Sequence, residues 1–388
     1  MDKKLKIAVY SGEIPSTTFI ERLIIGLANE GHHVHLFGYI KKKTIYNASV
    51  SIFAYKNTKL QKLYCFIKYS FLLQFFKSKK KKTLDKFIKE HSKNILLSKV
   101  KYYPVLWHHP DVFHLQWAKG LSDWMWVQEF GIKLVLSLRG AHINYSPIAD
   151  SKLAKMYQNY FPQVDGFHAV SKAIAIEAEK YFATKEKIKV VYSGLDLSLF
   201  KEPIEKRNTI FEIVSIGRPH WIKGYTYALD ACRKLKDNDF QFKYTIVGGA
   251  NDLELVYQIQ DLELQSEVVL LEKLPFSDVK ELIQSSDVLL LPSVKEGVAN
   301  VVLEAMALGT LVLTTDCGGM EEVIIDDVNG FLTPIRDSGK MANKIIEISN
   351  ISENKKTSII QAAKEIIENQ HTEQQMIDGM LELYQSIY

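Results

Sequence analysis

The chain has 388 residues, of which 47% are hydrophobic and 24% charged, enough to bury a sizeable core and to divide most naturally into about two domains. A net charge of +4 is small for this length and gives no support to a general nucleic-acid-binding role. Cys65, Cys232 and Cys317 are odd in number and far apart, which leaves no disulfide framework or zinc spacing and fits a reducing cytoplasm.

The opening Met1–Tyr10 carries charge but too short an apolar run for a signal peptide, and no later apolar run is long enough to span a bilayer. A buried strand is expected at Lys6–Tyr10, then a turn over Ser11–Ser16, then a helix with Ile20, Leu23, Ile24 and Leu27 on one face, ending at Gly31. Further strands follow at His33–Phe37, Val112–Leu115, Lys133–Ser137, Gly166–Ala169 and Lys189–Tyr192. Strands separated by helical stretches imply parallel pairing with helical crossovers. Between the first two and the rest lies Leu63–Phe76, aromatic and aliphatic, followed by the lysine-rich run Lys77–Lys82. It reads either as a core helix with a solvated lysine end or as a segment (63–82) that docks on an anionic membrane surface.

A second cycle begins after the polar link Lys201–Asn208. Strand Glu212–Ile216 leads into Gly217-Arg218-Pro-His-Trp-Ile-Lys223-Gly224 and a helix with Ala228, Ala231, Cys232 and Leu235 on one face. Short apolar runs continue at Tyr244–Val247, Val268–Leu271, Val288–Leu291 and Leu311–Thr314. The expected fold class is therefore α/β, with two doubly wound Rossmann-like domains facing across a cleft. They would occupy residues 1–204 and 205–369, and the helical segment 370–388 would return to one of them.

Candidate chemistry concentrates at the carboxyl ends of the second set of strands, where open α/β sheets bind ligands. Arg218 and Lys223 flank a strand-to-helix loop suited to a pyrophosphate, the first offering a fork and the second a point charge; the plainer reading is two solvated cations. Past Val288–Leu291 come Glu296 in a loop and Glu304, eight positions on, inside a helix. Asn300 reads as that helix's N-cap, so that Gly297, Val298, Ala299 and Asn300 present amides to a ligand rich in hydroxyls and phosphates, such as a nucleotide-linked sugar. Either acid could instead be a solvated surface group. Gly318-Gly319 lies at the same sheet edge or is simply a turn. Asp237-Asn238-Asp239, although it looks like an acidic metal-binding triplet, joins a helix to a strand and reads as a turn; no metal site is expected.

Taken in order, Gly217-Arg218…Lys223-Gly224, Val247-Gly248-Gly249, Glu296-Gly297 with Glu304-Ala305-Met306-Ala307, and Cys317-Gly318-Gly319…Glu322 resemble the C-terminal half of family 4 glycosyltransferases. Glu13–Ile20, Asp111–His114, Ala169–Ser171 and Tyr192–Asp196 are similar to the branch that builds bacterial exopolysaccharide and lipid-linked oligosaccharides. The resemblance covers most of residues 5 to 335 and is weakest between Lys41 and Pro110. It implies the two-domain B-type glycosyltransferase fold and a retaining transfer without catalytic metal or cofactor. The donor would be a UDP- or GDP-linked sugar, and the acceptor a saccharide or polyprenyl-diphosphate-linked glycan. Arg218 and Lys223 match the diphosphate clamp, Glu296 the acid that meets the donor sugar, Glu304 the one that meets the ribose, and Gly12 the loop near the diphosphate. Family members usually carry a His at the strand end occupied here by Arg139; either Arg139 takes over, or His142 swings in from the next turn, or His142 is only a polar turn residue. A cytoplasmic protein, peripheral on the inner face of the plasma membrane if 63–82 docks there, is the matching location. Two other classes share parts of this pattern: a B-fold sugar-nucleotide epimerase and a non-catalytic, membrane-associated nucleotide-sugar-binding protein.

Overall fold

A computed structural model describes residues 4–200 and 210–388. The link Lys201–Asn208, the boundary expected at 204/205 and the first three residues lie outside the described residues. The chain forms two compact units, one from residues up to Val170 with Ile174–Val191 and Gln374–Tyr388, the other from Ser171–Ala173 and Tyr192–Glu373.

The first unit holds a seven-stranded parallel sheet of β1 (Lys6–Ile14), β2 (His33–Ile40), β3 (Val50–Lys56), β4 (Val112–Leu115), β5 (Lys133–Leu138), β6 (Gly166–Ala169) and β7 (Ile188–Val190), in the order β3-β2-β1-β4-β5-β6-β7. Every residue of β4 and β6 is buried, as expected for central parallel strands covered on both faces. The helix Thr18–Asn29 buries Ile20, Leu23, Ile24 and Leu27, the face read from its spacing. The C-terminal helix Glu373–Ser386 packs Met376, Ile377, Met380, Leu383 and Tyr384 into the same core as Ile7, Val9 and Val135. Edge strand β3 escaped the sequence reading because only Tyr55 of its seven residues is buried, so neither a continuous apolar run nor a clean alternation marks it.

The expected turn at Ser11–Ser16 is replaced by a continuation of β1 to Ile14, with a register irregularity against β2 between Val9 and Gly12. Gly12 sits at φ +92, which a side chain resists, and its partner Gly38 has no room for a Cβ, which would lie 2.5 Å from the Gly12 carbonyl oxygen. Two glycines side by side let the bulged strand stay paired.

The second unit repeats the pattern with β8 (Phe211–Ile216), β9 (Phe242–Val247), β10 (Val268–Leu271), β11 (Val288–Leu291), β12 (Leu311–Thr315) and β13 (Phe331–Thr333) in the order β10-β9-β8-β11-β12-β13. Ala228, Ala231, Cys232 and Leu235 are buried along the helix Tyr225–Asp237. In both sheets the first strand is flanked by the second and the fourth, so the order reverses between β1 and β4 and between β8 and β11. Those reversals are where doubly wound sheets open a crevice for ligands.

Leu63–Phe76 falls in the helix Lys59–Phe76, followed by the helix Ser78–His91. Cys65, Tyr69 and Leu73 are buried on one face, while Leu60, Leu63, Tyr64, Ile67, Phe71, Phe75 and Phe76 are exposed. The segment is thus a core helix on one side and an uncovered apolar stripe on the other.

Candidate active site at the strand ends

In the second unit the loops after β8, β11 and β12 converge. The Lys223 ammonium donates to Glu296 Oε1 at 2.6 Å, and the Ser293 hydroxyl donates to the same oxygen at 3.0 Å. The residues of the ion pair lie 73 positions apart, and the Val294 N–H to Ile222 carbonyl bond, 2.7 Å, ties their loops together. Both side chains are largely withdrawn from solvent, at 23% and 16% exposure. This close approach needs glycines. A Cβ on Gly224 would lie 1.9 Å from the Pro292 carbonyl oxygen, and one on Gly319 would lie 2.1 Å from that of Gly297. The Gly319 N–H donates to the Glu296 carbonyl at 3.3 Å. Gly318-Gly319 is therefore more than a turn: it lets the loop after β12 lie flat on the loop that carries Glu296. Burial, with Glu296 adding to it, pushes the Tyr225 hydroxyl pKa up, and burial, again reinforced by Glu296, pushes the Cys317 thiol up to about 12. Tyr225 spends its proton on the Gly217 carbonyl at 3.0 Å.

Arg218 is exposed at the start of the same loop, and Glu304 is half-buried in the helix Asn300–Leu308. One local expectation is corrected. The N-cap is Ala299, with no side-chain hydrogen bond, and Asn300 is the first helical residue. An alanine offers nothing to the first-turn amides, so Gly297, Val298, Ala299 and Asn300 bring uncapped backbone to the site. Asp237-Asn238-Asp239 ends a helix: Asp237 pairs with Arg233 at 2.9 Å, Asn238 Nδ2 donates to the Lys234 carbonyl, and Asp239 is left-handed at φ +55. Among the described residues no group of three or more His, Cys, Asp or Glu could hold a metal ion. Glu322 accepts from the Lys172 and Ala173 amides and the Tyr192 hydroxyl, each at 2.8 Å, so its two oxygens are spent inside the unit.

The strand ends of the first unit carry a different constellation. Arg139, directly after β5, donates from a terminal guanidinium nitrogen to Gln116 Oε1 at 3.2 Å and lies 4.4 Å from the centre of the Phe19 ring. Burial lowers its pKa to about 9, so it remains cationic at neutral pH. His142 packs beside Trp117, with ring centres 5.4 Å apart, and burial lowers its pKa to about 4, which keeps it neutral. Trp117 also meets Phe19, gathering Arg139 and His142 around one aromatic pair. Gly12 faces open space: a Cβ there would meet nothing within 4 Å.

Beneath them runs a buried polar chain that the sequence reading missed. His168 Nε2 lies 3.0 Å from the Val191 carbonyl, which can only accept, so His168 carries its proton there and its Nδ1 accepts from the Ser137 hydroxyl at 2.9 Å. Ser137 Oγ must then accept from His114 Nε2 at 2.8 Å, and His114 Nδ1 accepts from Tyr384 at 2.7 Å. One backbone carbonyl thus sets every proton position along the chain. The available signal was a histidine in each of two otherwise apolar central strands; Gln116 carried no local signal at all.

Residues 16–199 match the family described as Glycosyltransferase Family 4, and residues 197–366 match Glycosyl transferases group 1. The chain is 27% identical over 307 residues to the putative colanic acid biosynthesis glycosyltransferase WcaL of Escherichia coli K12, covering 76% of this chain and 75% of that one. It is 26% identical over 198 residues to an Escherichia coli protein named UDP-Gal:alpha-D-GlcNAc-diphosphoundecaprenol alpha-1,3-galactosyltransferase, covering 47% and 50% of the two chains. Among solved structures, Anabaena HepE in complex with UDP-glucose superposes with a TM-score of 0.72 at 20% identity, over 99% of each chain. Two parallel α/β sheets with this likeness establish the B-type glycosyltransferase fold, and two matches that together run from residue 16 to residue 366 place the chain in glycosyltransferase family 4 as a sugar-transferring enzyme.

Proposed function

We propose that the protein transfers a sugar, with retention of anomeric configuration, from a UDP- or GDP-linked donor to a saccharide or polyprenyl-diphosphate-linked acceptor in polysaccharide assembly. The observation that carries this reading is the Lys223–Glu296 pair at the β8/β11 reversal, set among backbone that glycines keep bare. Lys223 neutralises Glu296. A donor diphosphate would share Lys223 and recruit the exposed Arg218, while Glu296 turns to the sugar hydroxyls and Glu304 to the ribose. The two cations stabilise the charge that grows on the leaving group. The glycosidic C–O bond to the diphosphate breaks as the acceptor oxygen attacks the same face, and the acceptor's proton passes to the departing phosphate oxygen. No resident metal is needed for that neutralisation. The names of the two Escherichia coli relatives support a polysaccharide or lipid-linked product.

The uncovered stripe supports a peripheral position on an anionic bilayer. Tyr64, Ile67, Phe71 and Phe75 are between 56% and 67% exposed, and residues 41–84 hold twelve lysines and no acidic residue. Each lysine near such a surface contributes about 1 kcal/mol. No helix among the described residues is long and apolar enough to cross a membrane.

Incubation with UDP- and GDP-sugars tests the proposal. Slow donor hydrolysis that persists in excess EDTA supports it; a changed sugar indicates epimerisation, no turnover indicates binding alone, and an NMR-defined α-donor giving a β-product overturns retention. Co-sedimentation with vesicles containing anionic lipid, lost on Lys79, Lys80 and Lys82→Glu, tests the surface.

A further inference from the structure

We propose that Arg139 and Gln116 form an oxyanion-binding subsite in the first unit, which selects a substrate bearing a carboxylate or phosphate. It deepens the glycosyltransferase reading and rests on it for the word substrate. The geometry is that of an incomplete site. Arg139 Nε and Gln116 Nε2 are both sealed from solvent and neither has a hydrogen-bond partner. Gln116 as a whole is fully buried, and its one acceptor, Oε1, is already engaged by Arg139. What remains is therefore donors only, one on a cation. The groups that meet Arg139 are that amide oxygen and the Phe19 ring; among the described residues no carboxylate pairs with it. A half-buried guanidinium with a sealed, unpartnered Nε and neutral neighbours is a costly arrangement unless an anion completes it.

The neighbouring groups reinforce the sign. The chain behind Gln116, from Tyr384 through His114 and Ser137 to His168, holds its histidines neutral and so supplies no negative charge. His142, also neutral, contributes a third unpartnered nitrogen, Nδ1, at the same aromatic pair. A neutral sugar hydroxyl could satisfy one donor. A carboxylate or phosphate, with several lone pairs and a full charge, satisfies both and neutralises the guanidinium. Two sources share that chemistry: a uronic-acid sugar and a phosphate on the acceptor.

The full-length chain is titrated at constant ionic strength with sodium glucuronate, inorganic phosphate and glucose, following heat release and Tm. We expect one of the anions to bind at least 10-fold more tightly than glucose and to raise Tm. Arg139→Gln should lower that affinity about 10-fold or more, the loss of one charge-assisted contact, whereas Lys223→Ala should leave the Arg139-dependent part unchanged. Gln116→Glu places an internal carboxylate in the subsite, so it should abolish the Arg139-dependent anion binding while raising Tm, which a purely structural Arg139 would not produce. Within the Arg139-dependent part, preference for glucuronate assigns a carboxylated sugar and preference for phosphate assigns a phosphate-bearing acceptor. Anion affinity no better than that of glucose, or affinity equal to wild type in folded Arg139→Gln and Gln116→Glu, overturns the subsite. Donor hydrolysis measured separately shows whether the enzymatic reading survives that result.

Discussion

The two sheets share one strand order around their reversal points, yet the cations at their strand ends are answered differently. After β8 and β11 the cation Lys223 is answered by the carboxylate of Glu296 at 2.6 Å. After β4 and β5 the cation Arg139 is answered only by an amide oxygen and an aromatic face. The second site is a closed pair that a ligand must open; the first is an open half-pair that a ligand would close. The polar load differs as well. Burial holds His35, His108, His109, His114, His142 and His168 of the first unit below their ordinary pKa, and His371 of the second.

The largest effect should come from the backbone contacts that close the second site. Gly319→Ala drives a Cβ to 2.1 Å from a carbonyl oxygen and Gly224→Ala to 1.9 Å, the latter at φ +66; each should cost more than about 4 kcal/mol, against about 1–2 kcal/mol for Gly12→Ala, which meets only backbone strain. Denaturant unfolding of the three variants checks this, and a Gly12 variant as damaged as the others would erase the contrast.

Acid should separate the two units next. His168 has its pKa lowered by burial to about 3, and that of His114 is also lowered well below 6.5. The unfolded chain binds those protons first, so stability present above pH 6.5 is lost as pH falls. Between pH 5.5 and 3.5 His168 should cost about 2–3 kcal/mol, and His114 adds a loss of the same sign. Trp107, Trp117, Trp124 and Trp126 lie in the first unit and only Trp221 in the second, so urea unfolding followed by tryptophan fluorescence reports chiefly the acid-sensitive unit. A midpoint flat across that range would contradict the neutral-histidine chain.

Opening the closed pair should cost less. Lys223→Ala or Arg218→Ala should each reduce kcat/KM by the equivalent of about 1.5–3 kcal/mol, one charge-assisted contact, with the fold retained. Unchanged turnover in both would remove the clamp. Smaller still, about 1–2 kcal/mol in the transfer barrier, is the expected loss in Glu296→Gln, which should keep UDP binding, while Glu304→Gln should weaken it. Steady-state kinetics beside nucleotide calorimetry would expose the reverse split.

The alternation of apolar runs and amphipathic stretches was enough to determine the α/β class and to mark most strands, because buried parallel strands and one-sided helices leave periodic signatures in the chain itself. It also marked Arg218, Lys223, Glu296 and Gly318-Gly319 as separate signals at strand ends. The strands it missed, β3 and β13, are sheet-edge strands of seven and three residues, too weakly covered or too short to carry such a signature. The Asn300 cap failed for a local reason: a capping residue type, one position further along, is simply the first residue of the helix. What tertiary structure alone decided was partnership. Lys223 and Glu296 meet because β11 pairs with β8 across the sheet reversal, and Tyr384 reaches His114, 270 positions away, because the C-terminal helix returns to the first sheet. Gln116 and Arg139, at the ends of β4 and β5, became a pair only because those strands are neighbours. Periodicity records which face of an element is buried; it holds no record of what lies opposite, since that depends on strand order and chain return, which short-range sequence does not encode.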